Sequence, residues 1–185
     1  MPPDAAPVGP MPAEPKLHEV IYAIAAQLDP DRLGIGPLAM LRRLDPAGSL
    51  AEPALQRLLC QYVPDAWLGS EDGMRRWALL VHAMALAAPD LHRTYGINGR
   101  LGLALFEAGY SEGRLVRLLE ARAADLPVAI PRAVRFLVAK RQGFDSVMLA
   151  RWVLGIAAGD GGAERQRTLV ARDYFRAERK AGQAA

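Results

Sequence analysis

Glu71-Asp72-Gly73-Met74-Arg75-Arg76-Trp77-Ala78-Leu79-Leu80-Val81-His82-Ala83-Met84-Ala85-Leu86-Ala87-Ala88 is the most apolar stretch of this 185-residue chain. It reads as one helix that ends before Pro89, because proline cannot continue the hydrogen-bond ladder. Trp77, Leu80, Val81, Met84 and Leu86 leave it apolar on most sides, and such a helix belongs inside a core. The rest of the fold must therefore wrap around it.

The surrounding sequence supplies helices to do so. Val20, Ile21, Ile24 and Leu28 recur at helical spacing and stop at Asp29-Pro30. Leu38, Leu41 and Leu44 mark a helix after Gly36-Pro37, and another runs from about Glu52 to Tyr62 before Pro64. Beyond residue 98, helices are expected near 99–109, 111–125, 130–142, 145–158 and 163–180, punctuated by Gly109, Pro127, Gly143 and Gly159–Gly162. Ser111 and Asp145 stand where N-terminal caps should be. Hydrophobic residues make up 51% and aromatics only 6%, so the apolar mass is largely Ala and Leu, which favour helix over strand. The expectation is an all-α chain of about eight or nine helices in two small packed bundles.

Residues 1–15 hold six prolines and read as a disordered leader. Residues 16–95 form an N-terminal helical lobe and 96–185 a C-terminal one, divided where the charge changes sign. Residues 1–99 carry 8 Lys+Arg against 11 Asp+Glu, whereas residues 100–185 carry 15 against 9. Of the basic residues in the second half only Lys140 and Lys180 are lysines. Arginine's planar donor fork matches phosphate, so the asymmetry suggests a phosphate-binding surface. A coding bias toward Arg explains the Arg/Lys ratio equally well, but not the imbalance between halves.

No catalytic constellation is visible. His18, His82 and His92 have no metal-ligand spacing, and His82 reads as a hydrogen-bonded histidine at the core edge. The lone Cys60 reads as a buried thiol, and a single Cys fits a reducing cytoplasm. Gly96-Ile97-Asn98-Gly99-Arg100-Leu101-Gly102 matches neither nucleotide-binding fingerprint and follows no strand. No apolar run approaches the roughly 18 residues of a membrane span. The chain is expected to be cytoplasmic, non-enzymatic and free of metal and cofactor.

Basic helix surface is present instead. Arg114 and Arg117 share a face, as do Arg132 and Arg135, each pair three residues apart. Arg122 falls on the apolar side of its helix and must snorkel or pair. In the last helix Arg165, Arg172, Arg176 and Arg179 fall within an arc of about 60°, a stripe about 21 Å long. Val170, Tyr174 and Ala177 point the other way. Such a stripe can meet successive phosphates, or it can be a solvated face paired with Glu164, Asp173 and Glu178. Little aromatic interleaving appears on these faces, so backbone contact rather than base stacking is expected.

The order of these segments resembles the CasB family, the small subunit of the Cascade complex of type I-E CRISPR systems. The likeness rests on Gly99-Arg100-Leu101-Gly102-Leu103-Ala104-Leu105, Arg114-Leu115-Val116-Arg117-Leu118-Leu119 and Pro131-Arg132-Ala133-Val134-Arg135-Phe136-Leu137. It continues through Asp145 to Val170-Ala171-Arg172-Asp173-Tyr174-Phe175, and in the first half Leu38-Ala39-Met40-Leu41-Arg42-Arg43-Leu44 is similar to an Ala-x-Leu-Arg-Arg helix. Val170 replaces a family Trp, and Leu149-Ala150-Arg151-Trp152 lacks an acid the family carries, which marks a divergent member. The resemblance implies an all-helical, non-catalytic subunit, present as two copies beside the backbone and large subunits of Cascade. Its partners would be CRISPR RNA and the target and displaced DNA strands. Arg42, Arg43, Arg100, Arg114, Arg117, Arg132, Arg135 and Arg172 fall in the matching motifs. Two other readings stand beside it: a helical protein–protein adaptor with a basic face, and a DNA-binding regulator.

Overall fold

The computed structural model describes residues 15–88, 92–93, 100–155 and 162–184. In chain order its helices are α1 (Leu17–Gln27), α2 (Pro30–Leu33), α3 (Ile35–Arg43), α4 (Pro53–Tyr62), α5 (Asp65–Leu68) and α6 (Glu71–Ala87). They continue with α7 (Leu101–Glu107), α8 (Glu112–Glu120), α9 (Leu126–Ala139), α10 (Ser146–Leu154) and α11 (Gly162–Ala184). Two two-residue strands, β1 (His92–Arg93) and β2 (Phe144–Asp145), pair in parallel with His92 opposite Phe144. The fold is all-α. The single-turn helices α2 and α5 go beyond the elements expected from sequence, and both are too short to show a hydrophobic period.

Local chemistry sets the helix starts. Asp29, Glu52, Ser70 and Asp145 each accept a bond from a first-turn amide at α2, α4, α6 and α10. Ser111 occupies the cap position of α8, but its side chain makes no capping bond. Pro127 lies in the first turn of α9, where its missing N–H is not needed, so the helix begins at Leu126 rather than near 130. Pro131 is accommodated further along, at the loss of one ladder bond. The early start of α9 shortens α8, which ends at Glu120 instead of running to 125. Arg122 consequently leaves the helix and lies exposed, with no apolar face to escape.

Helix α6 is buried without interruption from Trp77 to Ala85. It packs on α3, α4 and α5 from the first half of the chain and on α9 and α10 from the second. One apolar cluster runs through both halves, from Val20 and Leu41 through Trp77 and Met84 to Leu137, Trp152 and Tyr174. The connection expected to divide the lobes lies largely outside the described residues, as do residues 1–14. No helix among the described residues is long and apolar enough to cross a membrane.

Two side chains correct the sequence reading. Cys60 is exposed, not buried, because Leu55, Leu58 and Leu59 form the inward stripe of α4 and Cys60 falls one step past it. His82 is more deeply placed than a core-edge residue: it is 2% exposed, and its Nδ1 donates to the Leu41 carbonyl at 2.9 Å. Burial holds its pKa below the ordinary value, a shift only partly opposed by that hydrogen bond.

Candidate nucleic-acid interface

Leu115 and Leu118 bury one side of α8, which leaves Arg114 and Arg117 on the exposed side. On α9, Ile130, Ala133, Val134 and Leu137 face the core, so Arg132 and Arg135 are exposed. The two helices pack against each other, and their four arginines converge on one cleft of about 470 Å³. Its floor is Tyr110, Leu118, Ala129 and Phe136, and no carboxylate lines it. Among the described residues none of the four arginines forms an ion pair. Arg117 donates Nε–H to the Gly113 carbonyl at 3.0 Å, a bond within its own helix turn.

The guanidinium carbon of Arg114 lies 5.4 Å from the centre of the Phe136 ring, within cation–π range. Tyr110 meets the same ring edge-on at 5.0 Å. Burial raises the Tyr110 hydroxyl pKa, while the fields of Arg114, Arg132 and Arg117 pull it back. These rings alter the sequence expectation of little aromatic interleaving. Phe136 follows Arg132 by four residues and so shares its helix face, a spacing visible in the sequence. Tyr110 arrives from the loop before α8, and only tertiary contact brings it there. On α11, Phe175 is also exposed, between Arg172 and Arg176 in the chain.

A second cleft of about 410 Å³ shares Arg132 and Arg135 with the first and extends to Arg43, Asp45, His82 and Val128. Arg43, Arg114, Arg117, Arg132 and Arg135 therefore lie along one continuous face. Arg42, adjacent to Arg43, turns the opposite way. Its Nε and Nη2 donate to the carbonyls of Ala85 and Ala88 at 3.0 and 2.8 Å, closing the C-terminal end of α6.

The remaining candidates lie elsewhere. Arg100 pairs with the buried Asp173 at 3.1 Å. Arg165, Arg172, Arg176 and Arg179 are all exposed on α11, with Val170 and Tyr174 buried behind them. Of the acids expected to neutralise that stripe, Asp173 bonds Arg100 and Glu164 bonds Arg167. Arg172 lines a third cleft with Arg100, Asp145, Arg151 and Asp173, a mixed-charge site unlike the first. Burial raises the Asp145 pKa there, against the two amide bonds it accepts as a helix cap. Arg151 escaped the sequence reading because it is a single basic residue on an otherwise apolar helix. Among the described residues no three His, Cys, Asp or Glu side chains gather closely enough to hold a metal ion.

Residues 37–175 match the family model described as CRISPR-associated protein Cse2. No curated protein matches the sequence significantly. Among solved structures, a chain of E. coli Cascade bound to a PAM-containing dsDNA target is similar at 19% identity and a TM-score of 0.66, covering 86% of this chain and 96% of that one. CasB from Thermobifida fusca is similar at 20% identity and a TM-score of 0.60, covering 85% of this chain and 94% of its own. These two likenesses speak for the fold.

Proposed function

Since the chain belongs to the CRISPR-associated Cse2 family, the CasB-type small subunits of type I-E Cascade, we propose that its arginine face holds nucleic-acid backbone within that surveillance complex. The observation that carries the reading is the cleft between α8 and α9, with four exposed arginines and no carboxylate lining it. Four like charges left without acidic partners in one concavity repel one another, and a polyanion relieves that repulsion. The extension of the same face to Arg43 suits an extended strand better than a compact anion.

In this role the subunit stabilises guide RNA–target DNA pairing and holds the displaced strand. R-loop formation exchanges one duplex for another of similar stability, so modest backbone contacts suffice to tip it. The α11 stripe of Arg165, Arg172, Arg176 and Arg179 provides a second surface of the same kind. The partners are CRISPR RNA, the two DNA strands, the backbone and large subunits of Cascade, and a second copy of this chain. The subunit's work is binding rather than catalysis.

The test is charge reversal in the assembled complex. Arg114→Glu with Arg117→Glu should sharply reduce retention of target DNA while leaving assembly and helicity intact. The loss should be largest at low salt, since each neutralised phosphate contributes a log–log salt slope of about −0.7 to −0.9. Retention equal to that of the unaltered complex at every salt concentration would exclude this face. Arg75→Glu with Arg76→Glu is a poor control: Arg75 bonds Glu71 and the carbonyls of Ala47 and Gly48, and Arg76 pairs with Asp72.

A further inference from the structure

Backbone binding requires only a charged groove, yet the cleft between α8 and α9 has more than charge. Its floor is apolar and aromatic, and a sugar-phosphate backbone has no use for such a floor. Phe136 remains only partly buried although its neighbours Val134 and Leu137 are in the core. The guanidinium carbon of Arg114 lies 5.4 Å from the centre of its ring, and both groups line the cleft. An aromatic ring and a guanidinium side by side in one concavity each offer a flat π-system something to stack on.

Resting on the proposed backbone contact, the geometry points to an unstacked nucleotide as the occupant. Its base enters the cleft against Phe136 and Arg114, and its flanking phosphates lie on Arg117, Arg132 and Arg135. A volume of about 470 Å³ leaves room for a base and part of its sugar. The Tyr110 hydroxyl is the floor's side-chain donor and acceptor, too little to match one base edge, so the site accepts any base. Stacking of this kind is tolerant of sequence because every base has a π-face. An acidic peptide is the competing occupant; its carboxylates would suit the arginines, but it gives no reason for an aromatic ring beside them in the cleft.

The full-length protein can be titrated with a short single strand of mixed sequence and with a strand of equal length lacking bases. The base-bearing strand should bind about 5- to 150-fold more tightly for each base inserted, the measured range for base–aromatic stacking. Phe136→Leu removes the ring, and Ala129→Leu fills the floor without touching an arginine. Each should shrink that ratio toward one, with the two strands compared on the same variant. Competition by free mononucleotide identifies the source: weak competition means a nucleotide within a strand, and full competition means a free one. Equal affinity for the two strands overturns the inference but leaves backbone binding standing. Binding of neither strand, with capture of a polyglutamate peptide instead, overturns both.

Discussion

The seam between α7 and α11 and the face shared by α8 and α9 draw on the same material, amphipathic helices of the basic half, and they differ in every property that matters. At the seam the backbones nearly touch. A Cβ added at Gly102 would overlap the Val170 carbonyl oxygen and lie 3.0 Å from the Tyr174 amide nitrogen. Arg100, just before α7, bonds the buried Asp173 carboxylate, and the Tyr174 hydroxyl donates to the Tyr110 carbonyl at 2.6 Å. Across the other face the helices diverge enough to leave a cleft, and its arginines have no carboxylate to bond. One region is spent on holding the fold and the other is left available for a ligand. Tyr110 belongs to both, with its carbonyl tied to the seam and its ring in the cleft.

The severest way to break the comparison is to enlarge Gly102. In an exposed helix Gly→Ala gains about 1 kcal/mol through propensity, so a loss here would be a packing effect with the opposite sign. Gly102→Val should cost about 3 kcal/mol or more, read as a lower denaturant midpoint, because the neighbouring atoms are backbone and cannot rotate aside. A midpoint at or above that of the unaltered protein would mean the seam is not close-packed.

A smaller effect should separate the two sets of arginines. Asp173→Asn leaves Arg100 without its carboxylate. It should cost about 1–2 kcal/mol, discounted because the Arg100 side chain is 41% exposed and water can replace part of the bond. Arg117→Ala on the cleft face should change stability by no more than about 0.5 kcal/mol. Equal costs at both places in urea titrations would erase the distinction drawn between them.

The mildest test uses pH. His82 borders the second cleft, and burial keeps its folded pKa below the ordinary 6.5. Between those two values the unfolded chain binds more protons than the folded one, so stability rises with pH through that window. It should be fully present above the unfolded pKa and decline as pH falls below about 6.5. Urea midpoints measured from pH 7.5 down to 5 should therefore decrease, and this component of the slope should vanish in His82→Asn. A midpoint unchanged by acidification would mean the imidazole is as solvated in the folded protein as in the unfolded chain.

The fold was largely legible because its strongest signals are local. The apolar run Trp77–Ala85 had nowhere to go but the core, and the cap at Asp145 is read from a single residue. The errors also have physical causes. Cys60 adjoins two buried leucines in sequence, yet one residue is a 100° rotation on a helix, enough to turn it outward. The end of α8 was misread because the restart at Leu126-Pro127 decided it, not any feature of α8 itself.

The candidate site was legible only as a set of residue types. Arg42 and Arg43 are neighbours with the same side chain, and nothing in their sequence says that one caps α6 while the other lines a cleft. Arg100 looks as available as Arg114 until its partner appears 73 residues away.

By itself the sequence determined the helical class, the burial of the central helix, the concentration of positive charge in the second half and the family to which the chain belongs. The first three depend on composition or on periodicity within one element, and the family on a resemblance carried by the order of motifs along both halves. Only the tertiary structure decided which arginines remain unpaired and where an aromatic floor joins them. A guanidinium bonds whatever acceptor the fold brings within about 3 Å, and that acceptor sits on another helix.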